Sequence, residues 1–518
     1  MISVSDTFSG LYDWIITSSL YDPANPFFFT GAFFLFFFLL FFLVSIPFGR
    51  TPQSRGLIIL FFSLWFYYKC SGVFVLLIIA AGIMNYLIAL SIGATTINRR
   101  KSLILLSGIA GNLAILVLFK YSPLFSRIIN LFATMKWDFA TLMFPAGLSF
   151  YTFANLSYII DVKKGVLLPE PSLKNYLTYI TFFPIVQMGP IERAKDLLPQ
   201  LSKRFSLSRE DVAEGYFLIL SGAIKKMVIG DYVNLHLVSQ VFSSPERYTG
   251  MENLAAILGY SLVIYCDFSG YTDMARGIAR WMGFDIKVNF NFPYRSENIG
   301  EFWRRWHISL SSWLRDYIFL PVAFRLSRFT KKEYLFSRNY LRTDIVIFNL
   351  TALITFTICG LWHGIGWNFL LWGLLHGIAL GVQKSWSYTT RKYKKGRGPT
   401  FKKADRITGI ILTFSFVSLG WVFFRMHTPE ESLIVFSQIT GNFYLQGFPA
   451  FISAYYPVLL MIIAGYLLHF TPEGLNQKLR EQLIPLAWPY KALLAIAVVA
   501  LIVYFKSLGS AMPIYIQF

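Results

Sequence analysis

Charge is scarce in this chain. Of its 518 residues only 14% are Asp, Glu, Lys or Arg, whereas 55% are hydrophobic and 18% aromatic. A soluble protein of this length carries a larger charged fraction, so a soluble enzyme is excluded first. Cysteine is nearly absent: Cys70, Cys266 and Cys359 lie scattered in apolar segments and fit neither a disulfide framework nor a zinc site. The chain also lacks a P-loop, a G-x-G-x-x-G turn, a G-x-S-x-G elbow and an H-E-x-x-H pair. Residues 1–25 hold Asp6, Asp13 and Asp22 but no Lys or Arg. With no basic n-region and no cleavage pattern, no signal peptide is expected, and the first apolar run stays as a span.

Long apolar runs are what the chain has instead. Many approach the ~20 residues that cross a bilayer as a helix. Runs such as Phe27–Ile46 do not alternate, which argues against a membrane β-barrel. The expected fold class is all-α: a polytopic helical membrane protein of about eleven spans plus re-entrant or interfacial helices. The net charge of +20 reads as basic cytoplasmic loops rather than a nucleic-acid surface.

The first spans are expected at about Pro26–Pro47, Gly56–Tyr68, Gly72–Gly93, Ser102–Lys120 and Phe139–Ile160. Lys and Arg follow spans one, three and five, while the N-terminal segment and the loop after span four are poor in them. That alternation places the N-terminus outside. Asn175–Pro190 is too short to cross comfortably and has basic flanks on both sides, so it reads as a re-entrant hairpin, tolerable at depth only when buried in protein. Lys225 and Lys226 sit inside a span near Ala213–Val233 and must snorkel or line a cavity. The polar residues of the next span, Leu254–Trp281, share no single face, which suggests a helix broken at Gly270.

Glu301–Phe324 is expected as a helix pair or an interfacial helix dipping in from the cytoplasm. Thr343–Cys359 then crosses outward, leaving His363 near its outer end, and Trp367–Val382 returns. Lys384–Arg406 holds nine basic residues and reads as a flexible cytoplasmic loop. Ile407–Phe424, Tyr456–His469 and Lys491–Phe505 complete the bundle. Residues 26–518 are expected to form one membrane domain, preceded by an interfacial extension, 1–25, with a helix at Tyr12–Leu20.

Among six histidines, two stand out. His307 lies in EFWRRWHISLSSWLRDYIFLP; on a helix, Trp303, Arg304 and Ser311 would share its face. An interfacial aromatic-and-basic belt is the plainer reading of the same residues. His363 is bracketed by Gly360, Gly364 and Gly366 in GLWHGIGW, where backbone or substrate can approach closely. A buried neutral imidazole is the form that can take a proton from an attacking hydroxyl. Two histidines with no third ligand make a poor metal site, so none is expected. His376 is ambiguous between structure and catalysis, and His236, His427 and His469 read as interfacial packing at span ends.

The stretches EFWRRWHISLSSWLRDYIFLP and GLWHG closely resemble the membrane-bound O-acyltransferase superfamily, and within it the branch that acetylates alginate, peptidoglycan and cellulose. The likeness extends over Phe144–Val162, Phe183–Pro190, Cys266–Tyr294 and Leu419–Arg425, that is, roughly residues 30 to 430. The resemblance implies helices ringing a thin centre with a tunnel between the two faces. It implies transfer of an acyl group, acetyl above all, from a cytoplasmic thioester such as acetyl-CoA, with no permanently bound cofactor. It implies an extracytoplasmic acceptor, either a cell-surface polysaccharide or a separate partner acetyltransferase, and a bacterial cytoplasmic membrane as the location. The family's invariant histidine corresponds to His363 and its second polar position to His307. Arg304, Arg305 and Arg315 would hold donor phosphates or, equally, lipid headgroups. Trp306, Ser309 and Asp316 are the remaining substrate-site candidates, with Asp316 paired to a neighbouring Arg. A lipid-linked sugar flippase or a non-catalytic scaffold of an acetylation complex would use similar intramembrane polar residues.

Overall fold

In lipid, a backbone must satisfy its own polar groups, and a helix does so within one segment. Every described element of the computed structural model is a helix. The structure describes residues 17–509, except 18, 24–26, 123–125, 127–128, 132–144, 329–337 and 395–398. The expected helix at Tyr12–Leu20 and the first part of the span Phe139–Ile160 fall largely outside the described residues. Among the described residues seven helical stretches are long and apolar enough to cross a membrane, and Phe33–Phe48 is a shorter apolar helix. Further helices at Leu148–Lys164, Arg209–Ala223 and Trp367–Lys394 occupy other expected spans but fall short by length or apolarity.

The chain groups into two compact units, Met1–Tyr216 with Met274–Ile286, and Phe217–Asp273 with Lys287–Phe518. The first is built around phenylalanine. Phe37 packs against Phe62, Phe66 and Phe183 with ring centroids 5.4–5.9 Å apart. Helices Val75–Ala94 and Asn98–Lys120 are tied by a reciprocal amide pair, Asn85 with Asn112, at 3.1 and 2.7 Å. Buried Arg55 donates to the carbonyls of Lys203 (3.0 Å) and Met282 (2.7 Å). Asn175–Pro190 is covered by two short helices, Leu173–Thr181, which starts just before it, and Phe183–Val186, and it is buried from Thr178 onward. Its non-helical backbone is thus covered by protein, as membrane depth requires.

Within the second unit, two expectations are corrected. The helix Gly250–Trp281 runs unbroken through Gly270. The glycine serves close approach instead: a Cβ there would lie 2.7 Å from the Gly222 carbonyl oxygen and 3.0 Å from the Lys226 nitrogen. The described part of the basic stretch Lys384–Arg406 is helix, because Trp367–Lys394 continues past the apolar part and Pro399–Arg425 begins early; residues 395–398, on which the expected loop centres, lie outside the described residues. Charge marks where a helix leaves lipid, not where it ends.

Lys225 and Lys226 sit on a widened turn, Ile224–Gly230. Both are ion-paired: Lys225 with Asp273 at 2.6 Å, and Lys226 with Asp231 and Asp267 at 2.6 Å each. Lys226 and Asp267 are each 3% exposed, so their charges compensate each other in the interior.

Arg338–His363 and Trp367–Lys394 form a tight hairpin that carries His363 at its turn. Glycines make the close packing possible. A Cβ on Gly360 would lie 2.2 Å from the Phe369 carbonyl oxygen, and one on Gly373 would lie 2.3 Å from that of Phe356. Since the obstacles are backbone atoms, Gly360→Ala must push the helices apart. We expect a loss of about 1–3 kcal/mol, read as an earlier thermal unfolding in detergent, together with reduced activity.

Candidate functional site

The second unit holds both singled-out histidines in one aromatic core. His363 ends its helix buried among Trp362, Trp372 and Phe424, with ring centroids at 4.5, 5.2 and 4.9 Å. Trp421 touches Trp372 (5.9 Å) and Phe424 (5.5 Å), and on its other side Trp306 (4.9 Å). Trp306 is the residue before His307. A continuous run of ring contacts therefore joins the surroundings of His363 to those of His307.

His307 is not on a continuous helix. The helix Ile299–Arg305 stops, and a second, Ile308–Leu314, starts after it. Between them His307 adopts φ +42°, ψ +55°, a left-handed conformation that non-glycine residues rarely take. Among the described residues only Phe292 shares this, at φ +45°. Such a conformation costs of order 1–3 kcal/mol and persists only where neighbours impose it. Here the imposing element is the non-helical segment before Pro293. The Ile308 N–H donates to the Asn289 carbonyl (2.9 Å), and the Asn291 N–H donates to the Arg305 carbonyl (2.9 Å).

Asn289 also reaches the imidazole. Its Oδ1 lies 3.1 Å from His307 Nδ1 and accepts from the Ser309 N–H (3.1 Å) and the Ser309 hydroxyl (2.9 Å). His307, Asn289 and Ser309 are each 1% exposed. Phe268 stands edge-on to the imidazole at 4.7 Å. The segment lies between spanning helices rather than within one, and burial pushes the His307 pKa down to about 3. The ring is therefore neutral at physiological pH, the state that can accept a proton.

The break at His307 overturns the helical face expected for it. Trp303 turns to His376, its indole N–H donating to Nδ1 at 3.3 Å. The Ser311 hydroxyl donates to the Trp306 carbonyl (3.1 Å), and Arg304 is exposed. His376 is fully buried against Trp303, Trp372 and Phe416, in a packed structural setting. His469 is likewise interior rather than interfacial: it accepts from the Tyr294 N–H at 3.2 Å.

The remaining candidates divide. Trp306 and Ser309 are buried beside His307. Arg305 is bound to Glu301 (2.9 Å) and to the Asn291 carbonyl (3.2 Å). Arg315 is exposed and pairs with Asp316 at 2.9 Å, as expected for that carboxylate. Among the described residues no three His, Cys, Asp or Glu side chains gather as a metal site. Asn289 was missed by sequence reasoning. Its signal was the alternation in NFNFPY, where the amides Asn289 and Asn291 interrupt an aromatic stretch just before Pro293.

Comparison with known proteins gives this geometry its context. The sequence model of the membrane-bound O-acyltransferase family matches residues 162–337 and 349–426. A peptidoglycan O-acetyltransferase of Helicobacter pylori is 31% identical over 426 residues, covering 77% of this chain and 76% of its own. A probable alginate O-acetylase of Pseudomonas aeruginosa is 34% identical over 406 residues, covering 77% and 72%. A teichoic acid D-alanyltransferase of Bacillus subtilis is 30% identical over 316 residues, covering 58% and 75%. Likeness at this level, over most of both chains and across the stretch that holds both histidines, means that this chain belongs to the membrane-bound O-acyltransferase family and is an acyltransferase of the membrane.

Proposed function

We propose that the protein moves an acetyl group from a cytoplasmic thioester, acetyl-CoA, to a hydroxyl acceptor on the far side of a bacterial cytoplasmic membrane. The acceptor is a cell-surface polysaccharide, or a partner acetyltransferase that passes the group on. The observation that carries this reading is the buried polar cluster of His307, Asn289 and Ser309, joined by aromatic contacts to His363. Polar groups of this kind are costly inside a membrane protein and mark functional sites there. The sidedness rests on the distribution of basic loops, which supports an N-terminus on the outside.

In this reading the acceptor oxygen attacks the thioester carbonyl carbon. A C–O bond forms, and the hydroxyl proton passes to the imidazole of His363. The C–S bond then breaks, and the proton goes to the departing thiolate. His307 orients the reactants, with Trp306 and Ser309 around it. Exposed Arg304 is available to the phosphates of the donor, whereas Arg305 is held by Glu301 and Arg315 must share its guanidinium with Asp316.

The test is a proteoliposome assay with radiolabelled acetyl-CoA supplied to one face and a polysaccharide acceptor, with or without its partner acetyltransferase, on the other. Label reaching the far-side acceptor supports the reading. Transport of a lipid-linked sugar without acetyl turnover overturns it.

A further inference from the structure

The atoms around His307 decide which of its nitrogens carries the proton. The Ser309 backbone N–H can only donate, and it lies 3.1 Å from one terminal atom of the Asn289 side chain. That atom must therefore be the amide oxygen, which can only accept. The same oxygen lies 3.1 Å from His307 Nδ1. Two acceptors cannot face each other at that distance, so Nδ1 bears the hydrogen and donates it. In a neutral imidazole the other nitrogen, Nε2, is then left with its lone pair.

We propose that Asn289 is a positioning residue that locks His307 in the tautomer with a bare Nε2, so that His307 can receive a hydrogen bond from substrate but cannot give one. This deepens the acyl-transfer reading and rests on it. It narrows the work of His307: the imidazole serves a hydroxyl or amide N–H of a substrate, and it does not polarise the thioester carbonyl, which would need a donor. The backbone cooperates, since the left-handed turn at His307 and the Ile308 bond to the Asn289 carbonyl hold the ring and the amide at fixed register.

Nitrogen NMR of the full-length protein in detergent, labelled with 15N-histidine and assigned through His307→Gln, reads the tautomer without any substrate. We expect His307 to show a protonated Nδ1 and an unprotonated Nε2. Asn289→Asp, whose carboxylate still accepts, should keep that pattern. Asn289→Leu should lose it, with kcat down by about 10² or more and KM little changed. A protonated Nε2 in the unaltered protein overturns the proposal, as does an Asn289→Leu variant that keeps the tautomer. The spectrum is independent of turnover. The expected tautomer in a protein that transfers no acyl group would therefore indict the functional reading alone, and a wrong tautomer in an active enzyme would indict only Asn289.

Discussion

His363→Ala should lower acyl transfer by about 10²–10⁴-fold, the usual contribution of a positioned general base, while the amount of folded protein in the membrane stays close to normal. The imidazole is surrounded by Trp362, Trp372 and Phe424 and is 4% exposed, so its removal leaves a gap in an aromatic core. Loss of activity with retained folding is thus the expected separation. It is measured by labelled-acetyl turnover alongside the thermal unfolding midpoint of the purified variant. Turnover near that of the unaltered protein would remove His363 from the chemistry and favour a scaffold role.

Lys226→Met is expected to act in the opposite way, on folding first. The Lys226 ammonium lies 2.6 Å from one carboxylate oxygen of Asp231 and 2.6 Å from one of Asp267. Removing it leaves two acidic groups facing each other away from water. Breaking a buried ion pair from one side costs about 3–5 kcal/mol. The expected readouts are a sharply lowered yield and unfolding midpoint, with part of the loss recovered when Asp267→Asn is added. Activity should fall too, because Asp267 directly precedes Phe268, whose ring stands against His307. An unchanged midpoint in Lys226→Met would mean that the cluster is open to solvent and contributes little.

What the chain showed in advance follows from what kinds of force act locally. Apolar runs spaced by basic clusters mark helices because lipid leaves the backbone no alternative, and those helices are present at Pro52–Ser71, Val75–Ala94, Asn98–Lys120 and Phe448–His469. The two histidines stood out because imidazole is rare among so many tryptophans and phenylalanines. Tertiary contacts were hidden. Nothing in RRWHISL announces a left-handed residue, since that conformation is imposed by Asn289 and Asn291 from an earlier segment. Gly270 has the appearance of a break, yet it is a contact point for Gly222 and Lys226. The two lysines of Ile224–Gly230 looked anomalous in a span until Asp231, Asp267 and Asp273 were seen to meet them.

The account turns on His307 and His363 serving a single reacting centre. A double-mutant cycle on single-turnover rates tests this most directly, with His307→Ala, His363→Ala and the pair compared in the same proteoliposomes. Residues that act as one unit are strongly non-additive. The double variant should therefore be barely slower than the slower single variant. Losses that multiply would contradict a shared centre, and full activity in either single variant would contradict it outright.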